Sequence, residues 1–212
     1  MIVLHHLGVS QSERIAWLLE ELDIPYEVKH YKRLPGGGAA PPEYRALHPA
    51  GTSPVIEDGD VKLAETSAIV EYLLARYGKG RLTVAPDDPL YADYLFWLHY
   101  PNGSIVPAAL IEGIVRMLGA GEHPVAKSMG HRMDAAYAMM ESALGRHPYI
   151  AGDDFTAADV LAVFPITTMR AFAPRDLGAF PNIRAYLNRI AERAAFRTAM
   201  EKVEPGRKIL LS

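Results

Sequence analysis

A proline stands at the mouth of an apolar strand. In "GTSPVIEDG", residues 51–59, Pro54 directly precedes Val55-Ile56, and proline has no N–H to give a sheet ladder. Two readings fit this chemistry. A trans proline would shape an edge-strand turn and do nothing more. A cis bond, to which X-Pro is far more prone than other peptides, would turn the Ser53 N–H and C=O outward. Groups held that way can pair with an extended peptide by strand addition.

The flanking segments supply the frame. "MIVLHHL" is β-branched and apolar, as a buried strand requires. In "SQSERIAWLLEELDIPYEVKHY", Ile15, Leu18, Leu19 and Leu22 follow the i, i+3, i+4, i+7 stripe of a helix, and "IPYEVKHY" then alternates as a second strand. The Gly- and Pro-rich "RLPGGGAAPPEYRALHPAG" reads as a loop with one short helical turn. "SPVIEDGDVKLAET" gives two short strands around a turn at Asp58-Gly59. "SAIVEYLLARYG" gives an amphipathic helix with Ile69, Val70, Leu73, Leu74 and Tyr77 on one face and Gly78 as its C-cap. The order is βαβ, loop, ββα.

Past residue 78 the character changes. "GKGRLTVAPDDP" carries Gly, Pro and Asp without periodicity, and the chain beyond it reads as helical. "PLYADYLFWLHYPNGSIVPAALIEGIVRMLG" reads as one long helix bent or interrupted near Pro101 or Pro107. "HPVAKSMGHRMDAAYAMMESALG", "TAADVLAVFPITTMRAF" and "PNIRAYLNRIAER" read as three more, the last with Pro181 in its first turn. The expected organisation is an α/β domain over 1–79, a linker over 80–89 and an all-helical domain over 90–212.

Composition removes several function classes. With 22 Lys and Arg against 25 Asp and Glu, no basic excess exists to neutralise nucleic-acid phosphates. The absence of cysteine excludes disulfides, thiolate metal sites and a protein thiol nucleophile. His5 and His6, adjacent on a strand, point to opposite faces and cannot chelate one ion, so no metal is expected. No apolar run of about 18 residues and no signal-like h-region stands out, and the expectation is a cytoplasmic protein that does not cross a membrane.

In a βαβ-ββα frame, Pro54 stands where thioredoxin-like folds place a cis-proline. Further along, Glu65 and Thr66 open a helix. Thr66 or Ser67 can be its N-cap, or the free N–H groups there can receive a ligand carboxylate while Glu65 accepts from an ammonium. "SPVIEDGDVKLAETSAIVEYL" resembles the glutathione transferase family, with Thr66 in place of the family's usual Ser. "YIAGDDFTAADVLAVFP", residues 149–165, is similar to that family's folding motif, with Thr156 and Asp159 spaced as a capping box. "HPAG" before the proline and "PNIRAYLNRIAERAAFRTAME" also resemble the family, so the likeness spans nearly the whole chain.

The resemblance implies a thioredoxin-like N-terminal domain with a mixed sheet, an all-helical C-terminal domain, and glutathione as co-substrate with no other cofactor. "LGVSQSERIAWLLEE" resembles the bacterial, serine-type members related to the theta class, which makes Ser10 the hydroxyl that stabilises the thiolate. Read from its residues alone, the same stretch allows Ser10 and Glu13 to form a capping box, or Ser12 to cap. Thr52, Ser53, Pro54, Glu65 and Thr66 are the implied glutathione contacts. Relatives carry a basic or amide side chain at the position of Thr52, so Lys32, Arg33 or Arg45 from the loop would substitute, with Arg33 preferred. Tyr100 and Ser104 lie on the helix that lines the family's electrophile pocket, whereas Trp97 reads as core. The implied partners are glutathione, a small hydrophobic electrophile or hydroperoxide, and a second copy of the chain. A binding protein that keeps the fold and carries apolar ligands with little turnover is the alternative.

Overall fold

The N-terminal apolar run forms β1 (Ile2–Leu7), in which five of six residues are buried. Helix α1 (Ser12–Glu21) follows, with Ile15, Leu18 and Leu19 fully buried and Leu22 just past its end also inside. β2 (Tyr26–Tyr31) returns alongside β1 in parallel, from Ile2 opposite Tyr26 to Leu7 opposite Tyr31. This is a computed structural model, and it describes residues 1–36 and 38–211.

The loop after β2 contains one short helix, α2 (Pro42–Arg45). β3 (Val55–Asp58) runs antiparallel to β1, and β4 (Val61–Ala64) antiparallel to β3, giving a mixed sheet of order β2-β1-β3-β4. The hairpin turn is Gly59-Asp60, one residue later than the sequence suggests, because Asp58 still pairs with Val61. Gly59 has φ +60, which favours glycine. α3 (Thr66–Leu73) packs Ile69, Val70 and Leu73 inward and widens into a π-helical turn over Leu74–Gly78. The extra residue of that turn shifts the helix end: the left-handed cap is Lys79, at φ 51, and not Gly78.

The remaining helices are α4 (Tyr91–Tyr100), α5 (Val106–Met117), α6 (Pro124–Leu144), α7 (Ala157–Ile166), α8 (Pro181–Glu192) and α9 (Ala194–Val203). The interruption between α4 and α5 begins at Pro101, where a π-helical turn (Pro101–Ile105) absorbs the missing N–H. All ten residues of α7 are buried. Its start is the capping box that Thr156 and Asp159 suggest.

The chain divides into two compact units, Met1–Leu82 with Glu192–Lys208, and Thr83–Ala191 with Ile209–Ser212. The sequence assigns all of 90–212 to one helical domain and does not separate α9 from the preceding helix. In the structure α9 packs on α1. The Trp17 and Phe196 rings meet edge to face at 4.9 Å, Arg193 pairs with Glu21 at 2.7 Å and Lys202 with Glu20 at 2.6 Å. Among the described residues no helix is long and apolar enough to cross a membrane.

Candidate active site

Leaving β1, the chain must turn sharply to start α1. Val9 makes the turn at φ 53, a left-handed conformation that is a genuine outlier for a β-branched residue and costs about 1–3 kcal/mol. Two side chains from distant sequence hold it. Arg33 donates to the Gly8 carbonyl at 2.7 Å, the Val9 carbonyl at 3.0 Å and the Gly38 carbonyl at 2.5 Å. Glu204, just beyond α9, accepts from the Val9 N–H. The guanidinium proposed from sequence for a ligand carboxylate is therefore engaged on backbone carbonyls.

The strained turn delivers Ser10. Its hydroxyl is 2.7 Å from Ser12 Oγ and 2.8 Å from Ser53 Oγ, and only 6% of Ser10 is exposed. The Ser10 hydroxyl also accepts from the Ser12 N–H, the first of α1, at 3.4 Å. The residue before α1 is Gln11, with no side-chain cap, and Glu13 lies 3.6 Å from Arg207. Ser12 Oγ in turn meets His6 Nδ1 at 2.9 Å, and His6 Nε2 stands 3.2 Å from Glu204 Oε1. Burial opposes ionisation of Glu204, yet His6, the Val9 N–H and Arg207 together hold its carboxyl below the usual carboxylate range.

The Ser53–Pro54 peptide is cis. The ladder of β3 with β1 and β4 begins at Val55, so Thr52 and Ser53 lie outside its pairing. Glu65 precedes α3 at φ 76, again outside the comfortable range for a side-chain-bearing residue, and its side chain is exposed. Neither Thr66 nor Ser67 is the cap: α3 begins at Thr66 itself. The Thr66 hydroxyl donates to Gln11 Oε1 at 2.9 Å, and the same oxygen accepts from Arg14. Burial pushes the Arg14 pKa down to about 9, with Glu13 and Glu65 opposing, so it remains a cation at neutral pH. One unit thus gathers Ser10, Ser53, Pro54, Glu65, Thr66 and Arg33 around the junction of β1, β3 and α3.

The other two candidates lie in the second unit and share one cavity there. Tyr100 and Ser104 line a hollow of about 310 Å³ together with Ile105, Ile111 and Arg132. The Tyr100 ring stacks on Phe96 at 4.7 Å, while Trp97 is buried as expected. His5 and His6 diverge: His5 bonds the Tyr31 hydroxyl at 3.0 Å and His6 faces Ser12. Among the described residues no group of three or more His, Cys, Asp or Glu is gathered for a metal ion.

Sequence reasoning missed Gln11, His6 and Glu204. Gln11 carries no motif, and Glu204 reaches Val9 across 195 positions.

Comparison with known proteins shows the family. The glutathione S-transferase N-terminal domain family matches residues 4–81, and the corresponding C-terminal domain family matches residues 105–194. Glutathione S-transferase 3 of Schizosaccharomyces pombe is 34% identical over 100% of this chain and 92% of its own length. Glutathione S-transferase GstB of Escherichia coli is 28% identical, covering 89% of this chain and 91% of its own. A crystal structure of a glutathione S-transferase from Actinobacillus pleuropneumoniae superposes with a TM-score of 0.88 at 35% identity, covering 96% of this chain and 93% of that one. With one such relative aligned along the full length of this chain, it belongs to the glutathione S-transferase family.

Proposed function

We propose that this glutathione transferase uses Ser10 to hold the glutathione sulfur as a thiolate. Transferase activity follows from its full-length relatives, and Ser10 is the part that chemistry adds. A free thiol has a pKa of about 8.5, so only a few per cent is ionised at neutral pH. A hydroxyl donating to the sulfur favours the charged form, and the thiol proton leaves to solvent base. The thiolate then forms a C–S bond at an electrophilic carbon, whose leaving group departs with its electron pair. Attack on a hydroperoxide oxygen is the other outcome open to the same nucleophile.

One observation carries this reading: Ser10 Oγ lies 2.8 Å from Ser53 Oγ, joining the loop before α1 to the residue before Pro54. A peptide laid along the unpaired main chain of Thr52 and Ser53 would bring its thiol beside that hydroxyl. Glu65 would receive the ligand's ammonium, and the first N–H groups of α3, at Thr66, its carboxylate. Arg33 contributes by fixing the turn at Val9. Residues 1–79 would then be the glutathione-binding domain. Residues 90–212 would supply the cavity of Tyr100 and Ser104 for a small hydrophobic electrophile. A cytoplasmic homodimer working in detoxification, with no cofactor beyond glutathione, completes the proposal.

The test is thiol conjugation to an aryl halide such as chlorodinitrobenzene, together with a hydroperoxide panel, for wild type and Ser10→Ala. Ser10→Ala should lose about 10- to 100-fold in kcat/KM, the value of a hydrogen bond to a charged group, with the glutathione KM within about threefold. A Ser10→Ala enzyme as fast as wild type would exclude Ser10. Wild type that binds glutathione but turns over nothing in either assay would favour a carrier.

A further inference from the structure

Gln11 joins the starts of two helices. Its Oε1 accepts from the Thr66 hydroxyl of α3 at 2.9 Å and from Arg14 in the first turn of α1. Arg14 is 1% exposed and Thr66 2%, so bulk water does not compete for either contact. The amide can stand only one way round. A guanidinium has donors and no acceptor, so it can meet the oxygen of the Gln11 amide and not the nitrogen. The same logic fixes Thr66. Oε1 has no proton to give, so the hydroxyl spends its single proton there, and its oxygen is left only to accept.

Two protons remain on Gln11 Nε2. Among the described residues nothing takes them, and the half-buried side chain leaves this atom open to solvent. Because Nε2 shares its carbon with Oε1, it lies beside the start of α3, where Glu65 and Thr66 stand. The functional groups there sort by sign. The Glu65 carboxylate and the Thr66 oxygen accept, whereas the Thr66 N–H and Gln11 Nε2 donate. A ligand with an ammonium and a carboxylate on one carbon meets both kinds.

We propose that Gln11 is a specificity-determining residue for the γ-glutamyl end of glutathione, donating from Nε2 to its α-carboxylate. This rests on the reading that places that end of the ligand at Glu65 and Thr66. The Thr66 hydroxyl cannot be that donor, because its proton is already committed to Gln11. Ionic contact with Glu65 and the two donors together would select an α-amino acid end over a plain amine or a plain acid.

The experiment compares two thiol substrates toward one electrophile. One is glutathione. The other is γ-aminobutyryl-cysteinyl-glycine, which keeps the thiol and the ammonium but carries hydrogen in place of the α-carboxylate. Wild type, Gln11→Glu and Gln11→Met are assayed, and thermal melting checks that each variant folds. Gln11→Glu keeps an oxygen for Arg14 and Thr66 and exchanges Nε2 for an acceptor; Gln11→Met removes the amide outright. Wild type should favour glutathione in KM by at least about tenfold, the value of one hydrogen bond to a charged group. In both variants the glutathione KM should rise about 10- to 100-fold, with kcat and the KM of the carboxylate-free tripeptide within about threefold. Either variant that folds decides the matter. Should neither fold, wild-type enzyme crystallised with glutathione reads the same contact, Nε2 to carboxylate. Variants that weaken both tripeptides alike, or neither, overturn the role of Gln11 and leave the placement at Glu65 and Thr66 standing. If wild type does not distinguish the tripeptides, the carboxylate is not held at α3 and both fall. Ser10 is tested separately, since Ser10→Ala acts on turnover and not on this discrimination.

Discussion

The starts of α1 and α7 carry the same local signature, a hydroxyl residue three positions before a carboxylate, and spend it differently. At α7, Asp159 Oδ2 accepts from the Thr156 N–H at 2.8 Å. Its Oδ1 takes the Ile150 N–H and the Tyr186 hydroxyl, each at 2.9 Å. Every polar atom is used inside the fold. At α1 the serine hydroxyl turns toward Ser53 and Ser12, the carboxylate turns toward Arg207, and the backbone before it is strained at Val9. A serine hydroxyl shared between the helix start and two other hydroxyls, next to a residue held in the left-handed region, marks a helix start built for more than the helix.

The contrast is testable on stability. Asp159→Ala would strand the Ile150 N–H, the Thr156 N–H and the Tyr186 hydroxyl in a buried site, each worth about 1–3 kcal/mol. Urea denaturation should show a loss of about 3–5 kcal/mol; a loss below about 1 kcal/mol would remove α7 as the structural member of the pair. Next in size is a pH effect. Burial pushes the Asp159 carboxyl up to about 6 from 3.8, against its hydrogen bonds. A folded-state value above the unfolded one means that the bound proton stabilises the fold. That contribution is complete below about pH 4 and is lost as pH rises through about 6, amounting to about 3 kcal/mol at about 1.4 kcal/mol per unit. Asp159→Asn, which does not titrate, should flatten the unfolding midpoint across that window; an unchanged profile would contradict this.

The α1 side should respond in the opposite proportion. Arg33→Met removes two donors from the turn at Gly8 and Val9 and a third from the Gly38 carbonyl. It should cost about 2 kcal/mol of stability and also slow conjugation, because Ser10 loses its fixed place. Stability lost with full turnover would separate the clamp from the chemistry. Ser10→Ala should cost least, about 1 kcal/mol on melting, since its hydroxyl meets the Ser12 N–H only at 3.4 Å, while removing most of the activity.

What the sequence reveals depends on how local the cause is. The stripe of Ile15, Leu18 and Leu19, the Thr156–Asp159 box and the break at Pro101 are legible because each is written within a few residues of its effect. The α1 start is not. Its outcome is set by Arg33 and Glu204, which meet Val9 from 24 and 195 positions away. The same distance hides the packing of α9 on α1, where Phe196 covers Trp17. Helix ends fall between these cases: the π-helical turn after Leu73 moves the cap from Gly78 to Lys79, and nothing in "LLARYG" announces the extra residue. Ser10 could be singled out only by its likeness to relatives, since spacing alone assigns it to a helix cap.

A structure of the wild-type enzyme with glutathione bound tests the central claim most directly. The sulfur should lie within hydrogen-bonding distance of Ser10 Oγ, with the ligand's main chain paired to Ser53. A sulfur that meets Ser12 or a backbone N–H, out of reach of Ser10, would contradict it.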